Sequence, residues 1–458
     1  MKNSGEKSAP KNKFLGEKIS NGEIPDNWKI CKIRDCGTII GGATPLTNIS
    51  KYYDNGTISW ITPKDLSNLQ DKFITKGERN ITLLGFKSCS VRMLPKNSIL
   101  FSSRAPIGYV AIANKELCTN QGIKGIIPNE KIYYEFLYYL LIANKENIES
   151  FSNGTTFKEV STNSFRKVKV PLPPLEEQKK IADFLDNKCS KIDRYVEILT
   201  NQIKVLVEYK KSLITETVTK GLNPDKSAPS MKEKKHWRDS KIDWIGEIPD
   251  NWKISRLKYI LSILTDYTAN GSFADLAKNV EYLDYKDYAR LVRLTDLREN
   301  LENKGIYVNK NSYEYLRKSK LFGKEILIAN VGAYAGLFCE MPIIKEPATL
   351  GPNMFLLKTN NKMFQHFLYY LGNAKFVIEQ LHQKATSTAQ PKLNKDDVKT
   401  IYIPLPPLEE QKAIADFLDS KCLKIDRLLE LKKKQIENIK EYKKSLIYEY
   451  VTGKKEVK

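Results

Sequence analysis

Two stretches of the chain carry a narrow apolar stripe that persists for many helical turns between charged faces. In the first, Ile181, Leu185, Ile192, Val196, Leu199, Ile203, Leu206 and Leu213 recur at spacings of three, four or seven. In the second, Ile414, Leu418, Ile425, Leu429, Ile436, Ile439 and Leu446 repeat the stripe, with Lys432 standing where Leu199 stands in the first. A stripe this narrow is the seam of a coiled coil. It predicts helices from Glu176 to Val218 and from Glu409 to Val451, each about 65 Å long at 1.5 Å per residue. Each follows a Pro-Leu-Pro-Pro-Leu entry, and the acidic pairs Glu176-Glu177 and Glu409-Glu410 fall in the first turn, where the helix dipole favours them. Burying seven or so large apolar side chains at roughly 1.5–3 kcal/mol each favours packing of the two helices on one another.

Ahead of each helix the period changes from helical to alternating. Ile39–Thr44, Ile58–Ile61, Ile99–Ser102 and Tyr109–Ala113 read as strands separated by Pro and Gly, and a Tyr- and Leu-rich helix is expected over Tyr133–Phe151. The segment from about Ser255 to Ile403 follows the same order: Asp65-Leu66 matches Asp296-Leu297, and Phe-Leu-Tyr-Tyr-Leu at Phe136–Leu140 recurs at Phe367–Leu371. The chain is one plan written twice. Pro171–Arg194 returns at Pro404–Arg427 with three substitutions, and Gly22–Ile30 returns unchanged at Gly246–Ile254. The expected fold class is α+β, with two similar domains joined by long coiled-coil helices in a pseudo-twofold duplicated arrangement. The expected organisation is a first domain over 1–170, a central helix over 171–220, a linker over 221–245, a second domain over 246–403 and a C-terminal helix over 404–458. Loops differ between the copies: Ser102-Ser103-Arg104-Ala105-Pro106 stands where Ala329-Asn330-Val331-Gly332-Ala333 stands in the second, so one scaffold presents two unlike surfaces.

A net charge of +21 over 458 residues points to a polyanionic partner, nucleic acid or an acidic membrane surface. The longest apolar run, Phe136–Ile142, is too short to span a bilayer, and the basic start lacks the apolar core of a signal peptide. Seven cysteines without a Cys-x-x-Cys pair or nearby histidines argue for reduced thiols and a cytoplasmic protein, with Cys189 and Cys422 as small buried residues at matching places. Catalytic signatures are missing: no phosphate-binding glycine loop, no dinucleotide fingerprint and no Asn/Asp-Pro-Pro-aromatic tetrapeptide. The three histidines, His236, His366 and His382, have no counterparts in the first half, and His366 is expected to be a surface or hydrogen-bonded residue rather than a ligand. No catalytic and no metal-binding residue is expected.

Two divergent α+β domains, each followed by Pro-Leu-Pro-Pro-Leu-Glu-Glu-Gln-Lys-x-Ile-Ala-x-Phe-Leu-Asp and ending in Lys-Ile-Asp, resemble the specificity subunit of a type I restriction-modification system. The tags Ile24–Trp28 and Ile248–Trp252 and the motif Asn120-Gln121-Gly122 add to the resemblance. It implies that each domain recognises one half of a bipartite site in double-stranded DNA, with the helices acting as a ruler. It further implies docking of two methyltransferase subunits, to which motor-nuclease subunits can join. S-adenosylmethionine, ATP and Mg²⁺ would then be bound by those partners, and no cofactor by this chain.

Base edges are read best by Arg, Lys, Asn, Gln, Ser and Thr on projecting loops. In the first domain these candidates are Trp60, Thr62, Lys64, Ser103, Arg104, Thr155, Thr156 and Lys158, with Arg104 foremost because it follows a strand and precedes Pro106 and Gly108. In the second they are Arg290, Arg293, Asn330, Tyr334, Thr386, Ser387, Gln390 and Lys392. Trp60 has a competing reading as a core residue, and the polar run Lys384–Lys392 one as a plain connection. Two other functional classes stay open at this level: a coiled-coil scaffold for partner proteins, and a DNA-binding protein that acts through charge alone. Unlike loops on a shared fold weigh against both.

Overall fold

The computed structural model describes residues 24–69, 71–152, 158–222, 236–385 and 390–457. It divides into two units, one formed by Met1–Thr200 with Lys434–Lys458 and the other by Asn201–Lys433. The residues of both long helices, Leu175–Lys220 and Leu408–Val451, are thus shared between the units.

In the first unit, β1 (Lys29–Lys32) is followed by β2 (Gly37–Gly41), β3 (Trp60–Ile61), β4 (Phe73–Ile74), β5 (Ile99–Ser102), β6 (Val110–Ala113), β7 (Cys118–Thr119), β8 (Ile123–Pro128) and β9 (Lys169–Leu172). Five of them form a sheet in the order β2-β8-β5-β6-β4, antiparallel except for the last pair. The all-apolar faces of β5 and β6 explain why this sheet is covered on both sides: Ile99, Leu100, Phe101, Ala111 and Ile112 are all fully buried. One face packs under Phe136, Leu137 and Leu140 of the domain helix Tyr134–Ala143. The single helix expected over 133–151 is in fact two, because Asn144 ends the first and the second runs Lys145–Ser150. Asn144 is buried and its amide turns back to the Leu140 carbonyl, 3.3 Å away.

The second unit repeats the design. After β10 (Trp237–Asp239) and β11 (Glu247–Pro249) come β12 (Lys253–Arg256), β13 (Leu261–Asp266), β14 (Ala289–Val292), β15 (Ile306–Val308), β16 (Lys320–Leu321), β17 (Ile326–Ala329), β18 (Phe338–Glu340), β19 (Ala348–Leu350), β20 (Met354–Thr359) and β21 (Tyr402–Leu405). The sheet β13-β20-β17-β18 matches β2-β8-β5-β6, the parallel pair β14/β19 matches β3/β7, and β12/β21 matches β1/β9. Strands β15 and β16 extend the small sheet to four strands, where the first unit has the isolated antiparallel bridges Ile58–Ile81 and Leu94–Leu117 at the matching places. The stretch 221–245, expected as linker, is not all open chain: Trp237–Asp239 pairs antiparallel with Glu247–Pro249.

Each domain is fixed to its long helix by one repeated set of bonds. Gln178 is fully buried; its amide donates to the carbonyls of Pro173 and Lys131, and its oxygen accepts from the Tyr133 N–H. Gln411 does the same with Pro406, Lys362 and the Phe364 N–H. The tag tryptophans donate to helix-entry glutamates, Trp28 to Glu177 at 3.0 Å and Trp252 to Glu410 at 2.8 Å. About two turns further on, the Tyr139 and Tyr370 hydroxyls donate to Asp186 and Asp419.

The apolar stripe serves two purposes along its length. Its ends are domain core: Ile181, Leu185 and Cys189 join Leu446, Ile447 and Val451 in the first unit, and Ile214 and Val218 join Ile414, Leu418 and Cys422 in the second. Its middle is thinner, with Val196, Ile203, Leu206, Ile436 and Ile439 only half-buried. Matching ion pairs flank it, Lys443 to Asp193 at 2.6 Å in the first unit and Lys210 to Asp426 at 2.7 Å in the second. The interrupting Lys432 is accommodated because its ammonium reaches Gln202 Oε1 at 2.6 Å.

At the domain–helix junction the two units invert one charge. In the first, Lys72 bridges Glu135 and Asp186; in the second, His366 bridges Glu340 and Asp419 at 2.9 and 2.8 Å. The hydrogen bond to Glu340 and, against the cost of burial, that to Asp419 raise the His366 imidazole from 6.5 to about 9. With the folded value above the unfolded one, this contribution is complete below pH 6.5 and disappears as the pH rises through about 9. The urea midpoint of the wild-type chain is therefore expected to fall more steeply between pH 7 and 10 than that of His366→Gln; parallel curves would contradict the junction described.

Candidate nucleic-acid interface

The loops that leave the small parallel sheet and the large sheet meet at one end of each domain. In the first unit three backbone bonds tie four segments together. The Asn120 N–H donates to the Ile61 carbonyl at 2.9 Å, the Ser103 N–H to Gly122 at 2.8 Å, and the Val160 N–H to Ser103 at 2.9 Å. In the second unit the same three bonds run from Gly351 to Val292 (2.7 Å), from Asn330 to Asn353 (3.1 Å) and from Leu393 to Asn330 (2.8 Å). Close approach makes this possible: a Cβ on Gly42 would fall 2.0 Å from the Asn120 carbonyl oxygen. In the second unit the sharp turns use Asn353 and Gly332 in the left-handed region, with φ of 65° and 88°. The chain thus builds the same four-loop platform twice and changes what stands on it.

In the first unit the platform gathers Thr62, Lys64, Ser103, Arg104 and Lys158. Thr62 caps the short helix Pro63–Ser67 and is tied to Asp65, its hydroxyl lying 2.6 Å from Oδ2. Lys64 is exposed and pairs with Glu78 at 2.7 Å. Arg104 lies beside the cis Ala105–Pro106 bond and donates through Nε to Glu159 at 2.8 Å, with both side chains over a third exposed. Lys158 is exposed next to it. Two candidates turn inward instead. Ser103 is buried with its hydroxyl on the Gly122 carbonyl at 3.2 Å. Trp60 is core: its ring packs edge-on against Tyr53 and its indole N–H donates to Ala43 at 3.0 Å, because a two-residue strand with both side chains buried leaves no outward face.

Sequence reasoning passed over Lys124, which is nearly fully buried on β8 with its ammonium 3.8 Å from Glu159. Burial pushes that ammonium below its ordinary value; Glu159 opposes the shift and Arg104 adds to it. Two cations therefore share one carboxylate at this edge. The alternation of β8 was the available signal, since Lys124 interrupts an otherwise apolar run. Gln121 was also passed over, and Thr44 Oγ1 donates to its side-chain oxygen.

In the second unit Arg293 takes the place of Thr62, capping the helix Leu294–Arg298 and gripping buried Asp296 through Nε and Nη2, each at 3.0 Å. Burial works against ionisation of Asp296, but the bonds from Arg293 hold its carboxyl below the usual range. Asn330 lies on the platform with its side-chain oxygen buried and without a hydrogen-bond partner. Lys392 is exposed, and its backbone bridges to Val331 as Glu159 bridges to Arg104. Tyr334 is 45% exposed, with the Arg298 guanidinium 4.2 Å above its ring. Gln390 is exposed at the edge of the same loop. Arg290 turns inward like Trp60: it is 5% exposed on β14 and donates to the Leu301 carbonyl at 2.8 Å and to Asn303. Thr155, Thr156, Thr386 and Ser387 lie outside the described residues.

Among the described residues no helix is long and apolar enough to cross a membrane, and no group of three or more His, Cys, Asp or Glu side chains is arranged to hold a metal. Two domains with a common scaffold and unlike loop platforms, each keyed to a long helix, define a paired recognition protein. The chain belongs to the type I restriction modification DNA specificity domain family, whose model matches residues 25–208 and 249–441. It is 30% identical over 388 residues to the type I restriction enzyme MjaIX specificity subunit of Methanocaldococcus jannaschii, covering 84% of each chain. It is 27% identical over 449 residues to the MjaVIII specificity subunit of the same organism, covering 95% of this chain and 94% of the relative. A solved structure from work on complex assembly and conformational transition of the type I R-M system shares the fold, with a TM-score of 0.68 at 16% identity over 94% of this chain and 99% of that one.

Because the buried Arg290 guanidinium ties β14 to the Leu301 carbonyl and to Asn303, Arg290→Ala is expected to destabilise the second unit by about 1–3 kcal/mol in urea denaturation. A variant as stable as wild type would return Arg290 to the surface.

Proposed function

We propose that the chain is the sequence reader of a type I restriction-modification enzyme, each unit recognising one half of an asymmetric bipartite site in double-stranded DNA. One observation carries this reading: the four-loop platform is built twice on identical backbone bonds but bears Thr62, Lys64, Arg104 and Lys158 in one copy and Arg293, Asn330, Tyr334 and Lys392 in the other. A scaffold that only joined partner proteins would gain nothing from that difference.

The ion pairs on the first platform suit a reader that must let go of its own carboxylates. Exposed pairs such as Arg104–Glu159 and Lys64–Glu78 are worth about 0–1 kcal/mol, so a phosphate or a guanine edge can displace the carboxylate at little cost. The net charge of +21 supplies sequence-independent attraction to phosphate. In this reading the long helices hold the two readers at a set separation and dock two methyltransferase subunits, with motor-nuclease subunits joining them. S-adenosylmethionine, ATP and Mg²⁺ act on those partners in the cytoplasm, and this chain performs no chemical step.

Modified-base sequencing of host DNA with and without the gene is expected to show methylation lost at one asymmetric two-part motif. Unchanged methylation would refute the proposal. Arg104→Ala is expected to relax one half-site at a cost of about 1–3 kcal/mol in binding. Glu159→Gln, which frees Arg104 and Lys124, is expected to strengthen binding to unrelated DNA and steepen its salt dependence in fluorescence titrations.

A further inference from the structure

Cys31 and Cys36 stand apart from the other cysteines. Their sulfurs lie 3.6 Å apart, although four residues separate them in sequence. Strand β1 carries Cys31, paired opposite Val170, and the 3-10 turn Ile33–Asp35 swings Cys36 back beneath it. Cys31 is partly exposed and Cys36 fully buried, so one member of the pair is within reach of solvent and the other is held in the core. The second unit has Ser255 and Ile260 at the equivalent places, so the pair is not a requirement of the fold.

We propose that Cys31 and Cys36 form a redox-modification site, which a peroxide converts to an intramolecular disulfide. In the first step the Cys31 thiolate attacks one peroxide oxygen: an S–O bond forms, the O–O bond breaks, and the departing oxygen leaves as water or alcohol after taking up a proton. In the second step the Cys36 sulfur attacks the Cys31 sulfenic acid, the S–O bond breaks, and the hydroxyl leaves as water with the Cys36 proton. Two thiols lose two electrons, and one peroxide gains them. Disulfide formation shortens the sulfur–sulfur separation from 3.6 Å to about 2.05 Å.

The electrostatics favour this order of events. The hydrogen bond from Cys36 holds the Cys31 thiol below its ordinary value, against burial and the Asp35 carboxylate, while the same bond and burial push Cys36 up. Cys118, Cys189, Cys339 and Cys422 are all raised, first by burial. A peroxide should therefore meet a more reactive thiolate at Cys31 than at those four, with a resolving thiol already 3.6 Å away.

The test treats the full folded chain with a small excess of hydrogen peroxide, blocks remaining thiols with N-ethylmaleimide, and maps tryptic peptides by mass spectrometry. Trypsin cuts at Lys32 and Arg34, between the two cysteines, so a disulfide joins Ile30–Lys32 to Asp35–Lys51. The expected result is that joined species, lighter by about 2 Da than the two peptides together, appearing before any other cysteine is oxidised and vanishing on reduction. In Cys36→Ser, Cys31 is expected to accumulate as a sulfenic acid trapped by dimedone. Separate peptides in the oxidised wild-type chain, or earlier oxidation at another cysteine, would overturn the proposal without the variant.

Discussion

A buried glutamine holds each half of this molecule together. Gln178 and Gln411 are inaccessible to solvent, and a buried primary amide costs free energy unless its donors and acceptor find partners. Each finds three: the carbonyl of the first proline in the Pro-Pro pair of the entry, a carbonyl ahead of the domain helix, and the backbone N–H that opens that helix. The side chain can be satisfied only when the long helix starts in one place and one orientation against its domain. The loop platform is in turn set by the sheet that packs beneath the domain helix. A geometric chain therefore runs from the helix entry to the loop platform within each unit.

On that frame the two units differ where difference is cheap. The backbone bonds that gather the loops are the same, while the side chains standing on them are not. Even the cap of the short helix beside the platform has diverged: Thr62 in one copy and Arg293 in the other both engage an aspartate three residues on. The junction tolerates change too, provided that the charges balance, as Lys72 between Glu135 and Asp186 and His366 between Glu340 and Asp419 show.

Much of this was legible in the sequence because duplication displays its own boundaries. The strand Ile99–Ser102 and both long helices lie where alternation and the heptad stripe put them, within a residue or two at each end. The stripe misled in one respect. Periodicity shows that a face is apolar but not what covers it, so Ile181 and Leu418 read as coiled-coil seam although domain core buries them. Two candidate contact residues turn inward for a related reason. Arg290 has a side chain suited to reading bases but lies on a short strand whose inward position the three-dimensional pairing reveals, and for Trp60 the competing core reading is the one the structure shows. The exposure of Arg104 was legible because a loop between a strand and a Pro-x-Gly turn must project.

The central claim is that each platform reads its half-site independently. It is tested most directly by selecting binding sites from a random duplex library with the wild-type chain and with a chain in which Arg104 and Gln121 are both replaced by alanine, each assembled with its methyltransferase partners. The account predicts that one half of the bipartite motif becomes degenerate while the other half and the spacer length stay unchanged. Loss of both halves together, or no change in either, would contradict it.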